Sequence, residues 1–274
     1  MKKFTFVAIA LALISVISCK NNQKNGQAEE AIDPETATEA TINEKALEAD
    51  LATLIESAKK IKPVPFIKAQ KDGSLVLSEK EKMVKPGYLL NPSRANDLAT
   101  LYQKYRAVGM FTADKNIAEM YEMPVTDYNE SILKLLTDID DEALMNFYTL
   151  PSYDIESNRE AYEIFVDQEY EEGRANFFWD GITAAMVEQI YILTRDVDKF
   201  MPMFNDELAS TITFNFICVH DGLTKMVQYY PEMESLNSVL EPLYVINAIN
   251  VEQLRSQLLD VKADVEKARE FLLQ

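Results

Sequence analysis

The chain has 274 residues, 47% of them hydrophobic and 26% charged, with only 7 glycines. That is enough apolar material for a sizeable core, and too little glycine for a turn-rich β fold. With 27 basic and 45 acidic residues the formal charge is −18, a balance that repels polyanions and excludes a nucleic-acid partner.

Lys2 and Lys3 precede an apolar stretch from Phe4 to Ile17 and the small residue Ser18, the order of parts in a secretory signal. The apolar run is about 15 residues, short of the roughly 20 that cross a bilayer core as a helix, so a transmembrane anchor is the weaker reading. Val16-Ile17-Ser18-Cys19 resembles a bacterial lipobox. The resemblance implies that the Cys19 thiol carries a diacylglyceryl group and that Cys19 becomes the N-terminus once residues 1–18 are cleaved. One acyl chain holds a protein at a membrane only marginally, whereas two or three on one residue hold it durably. The alternative is an ordinary cleaved signal with a cysteine at the cut by chance. Loss of Lys2 and Lys3 leaves 25 basic residues against 45 acids, or −20.

Residues 19–34 read as a lipidated cysteine and a disordered tether, because Lys20 to Pro34 is almost devoid of apolar residues. No acid-rich run follows Cys19 directly. Such a run resembles the surface-export signals of Bacteroidetes lipoproteins, and without it the expected location is the cell envelope, facing the periplasm, with the outer membrane ahead of the inner and surface exposure left open. The membrane is the one partner the sequence implies, through the lipid; a protein or small-molecule partner is left open.

Residues 35–274 read as one all-α domain, an irregular bundle of seven to nine helices. Leu47, Leu51, Leu54, Ile55 and Ala58 follow three-and-four spacing, and Pro63 and Pro65 end that helix. Residues 66–90 are the least helical part, an irregular or short extended segment with a turn at Lys71-Asp72-Gly73-Ser74. Asn91 and Pro92 are placed to open the next helix, Thr126 or Asp127 to cap a second, and Asp140 or Asp141 to cap "EALMNFY". The prolines at 124, 151, 202 and 231 fall between predicted helices, and Pro242 starts a new segment or kinks one. "ASTITFNFICVHDGL" is apolar nearly all round, which predicts a central helix.

No catalytic residue, cofactor or metal site is expected. Zinc and haem need several ligands, and the chain has one histidine, His220, and one cysteine besides Cys19, Cys218. His220 reads as a packed structural residue and Cys218 as a small buried hydrophobe. The acids Asp138, Asp140, Asp141 and Glu142 lack the glycine and distal glutamate of a calcium loop, and helix capping explains them better. Glu169, Glu171 and Glu172 read as a solvated face before a break at Gly173. The aromatics are the candidate site: Tyr102, Tyr105, Phe178 and Trp179 would line a ligand groove if exposed, and would form core if buried.

"NPSRANDLATLYQKYRAVGMFTADKNIAEMY" and "FFWDGITAAMVEQIYILT" are similar to segments of uncharacterised helical lipoproteins of Bacteroidetes. There an Asn-Pro opens a helix that passes through a Gly-aromatic step, Gly109 to Phe111 in this chain, into a second helix ending in tyrosine. The likeness covers residues 88 to 200 and departs from the pattern where Trp179 precedes the glycine and Gln189 stands beside Glu188. It implies an exported, lipidated, helical protein and no activity. The function that follows is a lipid-anchored binding or interaction module. The alternatives are a carboxylate-based envelope enzyme acting on glycan or peptide, and a structural envelope component.

Overall fold

A computed structural model describes residues 49–149 and 158–274; Cys19, the tether, Leu47 and Pro151 lie outside them. Asp50–Gln274 pack as one compact unit, and the described residues are helical, with no strand. A helix described over 49–58 (α1) is followed by Phe66–Asp72 (α2), Glu79–Lys82 (α3), Leu101–Met120 (α4), Thr126–Ile139 (α5) and Glu142–Tyr148 (α6). Arg159–Glu171 (α7), Ala175–Arg195 (α8), Val197–Phe200 (α9), Asp206–Met226 (α10), Glu234–Leu240 (α11), Val251–Asp260 (α12) and Lys262–Leu272 (α13) complete the order.

These are thirteen α-helices among the described residues, where the sequence suggested seven to nine. Two of the extra helices, α2 and α3, fall in the segment expected to be irregular or extended. The turn between them is real, with Gly73 closing α2 at φ 79°, a left-handed position that suits glycine. Others are the short α9 and a split, since α12 and α13 part at Val261; Pro242 opens a short 3-10 turn, Glu241–Val245, at the end of α11. Asn91 does accept from the Ser93 N–H (3.0 Å), but it caps a 3-10 turn. The long α4 starts later, at Thr100, whose side chain accepts from the Gln103 N–H while Gln103 reaches back to the Thr100 N–H. Neither Thr126 nor Asp127 caps α5, which follows Val125 without a side-chain cap. Asp141 does cap α6.

The central helix is α8, with 17 of its 21 residues buried, and not α10. Phe214 and Ile217 on α10 are exposed (37% and 53%), so its continuous apolar run overshoots the core. Asp180 and Glu188 on α8 are buried as well, each paired inside with an arginine, Arg106 and Arg269. α4 runs parallel to α8 and crosses it closely. A Cβ on Gly109 would lie 2.8 Å from the Gly181 carbonyl oxygen and 2.9 Å from the Ala185 Cβ. α13 returns antiparallel against α8, and α7, α9, α10 and α12 also pack on it. Among the described residues no helix is long and apolar enough to cross a membrane.

Trp179 is fixed from two sides. Its Nε1–H donates to the Tyr170 hydroxyl at 2.6 Å, and its ring lies on α10 where a Cβ at Gly222 would come within 2.7 Å. An exposed helical glycine gains up to about 1 kcal/mol on replacement by alanine. At this position Gly222→Ala is expected instead to cost about 1–3 kcal/mol through overpacking. Urea unfolding should show a lower midpoint at an unchanged m-value; an unchanged or higher midpoint would mean that the indole gives way freely.

Candidate functional site

The four aromatics singled out in the sequence do come together, but in the core. Trp179 is 0% exposed, Phe178 and Tyr105 are buried, and only Tyr102 is partly open. Phe178 stands edge-on to Trp179 with ring centroids 5.7 Å apart. Phe177 lies between Tyr102 (4.7 Å) and Tyr105 (5.3 Å). Tyr102 accepts from the Asn176 amide at 2.6 Å and is bonded to Glu232 (3.1 Å). Every face of the indole is taken by a protein atom or a hydrogen bond, so the candidate groove at Trp179 gives way to packing. His220 is also displaced from expectation: it sits at the surface, 3.3 Å from Asp221 and edge-on to Tyr244. Cys218 is buried, and burial pushes its thiol up to about 11.

Two clusters of acids are buried around the α4–α8 pair. In the first, Asp141 at the start of α6 accepts from the Leu144 N–H (3.0 Å) and from the Tyr105 hydroxyl, and Arg174 Nη1 lies 2.7 Å from its Oδ2. Glu169 of α7 is 0% exposed, and neither carboxyl oxygen meets an amide or hydroxyl donor. Its neighbour is the Asp141 carboxylate. Burial, and then that contact, pushes Glu169 up to about 9, so at neutral pH Glu169 holds a proton and donates it in a hydrogen bond to Asp141. Burial opposes ionisation of Asp141, but the bonds from Glu169, Leu144 and Tyr105 and the charge of Arg174 hold it below its usual value.

The second cluster repeats the scheme. Asp114 of α4 accepts from the Leu90 N–H at 2.7 Å. Glu188 of α8 takes both Nε and Nη2 of Arg269 at 2.7 Å, a bidentate pair. Burial first, then the charge of Glu188, raises Asp114 well above its ordinary value, so of the two acids Asp114 is the one held back from ionising. Burial raises Glu188 too, against the pull of Arg269. The Arg269 guanidinium also donates to the Tyr88 carbonyl (2.9 Å) and lies 3.9 Å from the Tyr191 ring centroid. Between the clusters Arg106 clasps Asp180 at 2.7 and 3.0 Å. A neutral acid beside a carboxylate is the pairing of acid–base catalysis, yet none of these residues lines the large groove of the domain. What both clusters do is join helices: α4, α6 and α7 to the start of α8 in one case, α4, α8 and α13 in the other.

The groove encloses about 900 Å³. Its floor is the α4–α8 crossing itself, with Gly109, Ala113, Ile182, Ala185 and Met186. One wall is the stretch 61–65 and α2, the other α5 and the end of α6. The first wall is pinned from below. The Val64 N–H donates to Gln189 Oε1 at 2.7 Å, and Asn215 donates to the Lys62 carbonyl at 2.6 Å. Lys115, 3% exposed, stands in the lining 3.7 Å from Glu119. Comparison with protein families, curated proteins and solved structures finds no match to this chain.

Sequence reasoning missed the groove and both acid clusters. Glu169 was read as part of a solvated face, but it continues the spacing Tyr162, Phe165, Val166 and precedes Tyr170, all buried. Asp114 sits likewise between Met110 and Ile117, and Glu188 between Ala184 and Tyr191. An acid on an apolar stripe was the available signal. The groove had no such signal, since its floor depends on how closely two helices approach.

The raised value at Glu169 fixes a pH dependence. The unfolded chain loses this proton near 4.5 and the folded chain near 9. Between those values the folded state holds a proton that the unfolded state has released, so stability falls as pH rises, by up to about 1.4 kcal/mol per unit. Glutamine supplies the same donor to Asp141 without ionising. Glu169→Gln should match the native protein at pH 5 and exceed it in stability at pH 8, as read from urea midpoints. Parallel pH profiles for the two proteins would remove the buried acid.

Proposed function

We propose that the chain is a lipid-anchored protein of the cell envelope, facing the periplasm and held at the outer membrane rather than the inner. Its helical unit, an irregular single-domain bundle, acts as a binding module, with the groove over the α4–α8 crossing as working surface. The observation that carries the binding role is the groove itself. Its volume of about 900 Å³ falls within the roughly 300–1,000 Å³ of ligand sites, and its lining mixes an apolar floor with a few fixed polar groups. The carboxylate pairs that a hydrolytic enzyme would need stand elsewhere, each engaged in holding helices together, which favours binding over catalysis.

The anchor rests on Lys2-Lys3, the apolar run and Val16-Ile17-Ser18-Cys19, and the resemblance over residues 88 to 200 points the same way. Cells fed radiolabelled palmitate should incorporate label into the native chain, which should sediment with membranes. Cys19→Ala should abolish the label and release the protein to the soluble fraction. Unchanged labelling and fractionation of that variant would refute the lipid anchor.

A further inference from the structure

The three most exposed large apolar side chains among the described residues all fall in the stretch 76–84: Met83 (82%), Val76 (73%) and Val84 (69%). The segment that carries them is held in place. Leu75 and Leu77, on either side of Val76, are buried. The Ser78 hydroxyl accepts from the Glu81 N–H at 3.3 Å and Glu81 accepts from the Ser78 N–H at 2.8 Å, which closes the turn of α3. Lys82 ties that turn to Glu122, just past the end of α4, at 2.6 Å. Lys71, Lys80 and Lys85 are exposed, and their ammonium groups make no ion pair or hydrogen bond among the described residues. The acids beside them are engaged: Asp72 accepts from Ser74, Glu79 from Lys82 and Glu81 from Ser78. From 71 to 85 lysines outnumber acids by four to three, in a chain whose overall charge is −18.

We infer that the stretch 76–85 is the face on which the domain rests against a phospholipid bilayer; this rests on the lipid anchor proposed above. Val76, Met83 and Val84 enter the headgroup boundary, where binding grows with the apolar area buried. Lysine stems lie along such a layer while their ammonium groups reach the lipid phosphates, which is the part Lys80 and Lys85 take. A protein partner fits this stretch less well. Protein interfaces are anchored by aromatic residues and arginine and are poor in lysine, whereas 76–85 has no aromatic residue, no arginine and the lysines 80, 82 and 85. The acidic remainder of the surface is turned away by anionic lipid, so the approach is oriented. Three apolar side chains bind a bilayer weakly by themselves. A chain anchored at Cys19 needs no more, because the anchor makes this second contact intramolecular.

The test uses the full lipidated chain, purified in detergent and reconstituted into vesicles of phosphatidylethanolamine and phosphatidylglycerol. Met83→Cys carries an environment-sensitive fluorophore, and Ile249→Cys, at a site 68% exposed elsewhere in the chain, carries the same label as control; Cys218 is buried and does not compete. The label at 83 should shift to the blue and be quenched severalfold more by brominated acyl chains than the label at 249. Lys80→Glu with Lys85→Glu should reduce the quenching at 83, and more so as the share of phosphatidylglycerol rises. A label at 83 that stays in water, or equal quenching at both sites, would overturn the face. Shielding at 83 in whole envelopes but not in protein-free vesicles would overturn the bilayer in favour of a protein partner. The mass of the purified chain separates this inference from the anchor beneath it. A chain without lipid at Cys19 overturns the anchor and this face with it, whereas a lipidated chain with a wet label at 83 overturns the face alone.

Discussion

The fold depends on how closely α4 approaches α8. Gly109 faces the Gly181 carbonyl and Ala185 at distances that leave no room for a Cβ, and glycine in a helix interior costs about 0.5–1 kcal/mol. That cost is offset by bringing two backbones together along the middle of the domain. The two helices run parallel, so the chain must cross from the end of one to the start of the other. It does so through α5, α6 and α7, and the crossover makes one wall of the groove. The floor of the groove and the crossing of the helices are thus one feature.

The same approach explains where the charges are buried. α4 carries Arg106 and Asp114, and α8 carries Asp180 and Glu188, on faces turned inward. Buried charges cost several kcal/mol each unless closely paired and hydrogen-bonded. In both clusters the chain reduces that cost in the same way. One acid is pushed up by burial and by its carboxylate neighbour, and a single arginine faces the other. An acidic protein thereby keeps carboxyl groups inside without an equal number of cations. The contacts are directional, so they fix the rotation and height of α6, α7 and α13 against the central pair, which apolar packing alone leaves looser.

Much of this was legible in the sequence. The all-α class followed from the scarcity of glycine and the spacing of the apolar residues, and Gly173 marked the α7–α8 break, which it makes at φ 72°. Leu54 and Ala58 lie on the buried face that their spacing assigned. What was not legible follows from physics that a one-dimensional pattern does not carry. The charges of Asp180 and Glu188 on α8 carry no sign of their burial, because a paired carboxylate and a solvated one look alike in a sequence. Phe214 and Ile217 made α10 look central, although apolar residues do stand in water. The aromatics near Trp179 could be core or surface by spacing alone, and the fit of the indole against Gly222 decided for core. The groove is the shape left between elements, and no residue type announces it.

Gly109→Ala tests the closeness of that crossing directly. If α4 and α8 met at ordinary helix spacing, alanine would raise stability by up to about 1 kcal/mol through helix propensity. The contact to backbone and to Ala185 predicts the opposite sign, a loss of about 1–3 kcal/mol, because a carbonyl oxygen held in a helix cannot rotate away. Equilibrium urea unfolding reads that sign without ambiguity. A lower midpoint is the predicted result, and a midpoint equal to or above that of the native protein would contradict the central place given to the α4–α8 contact.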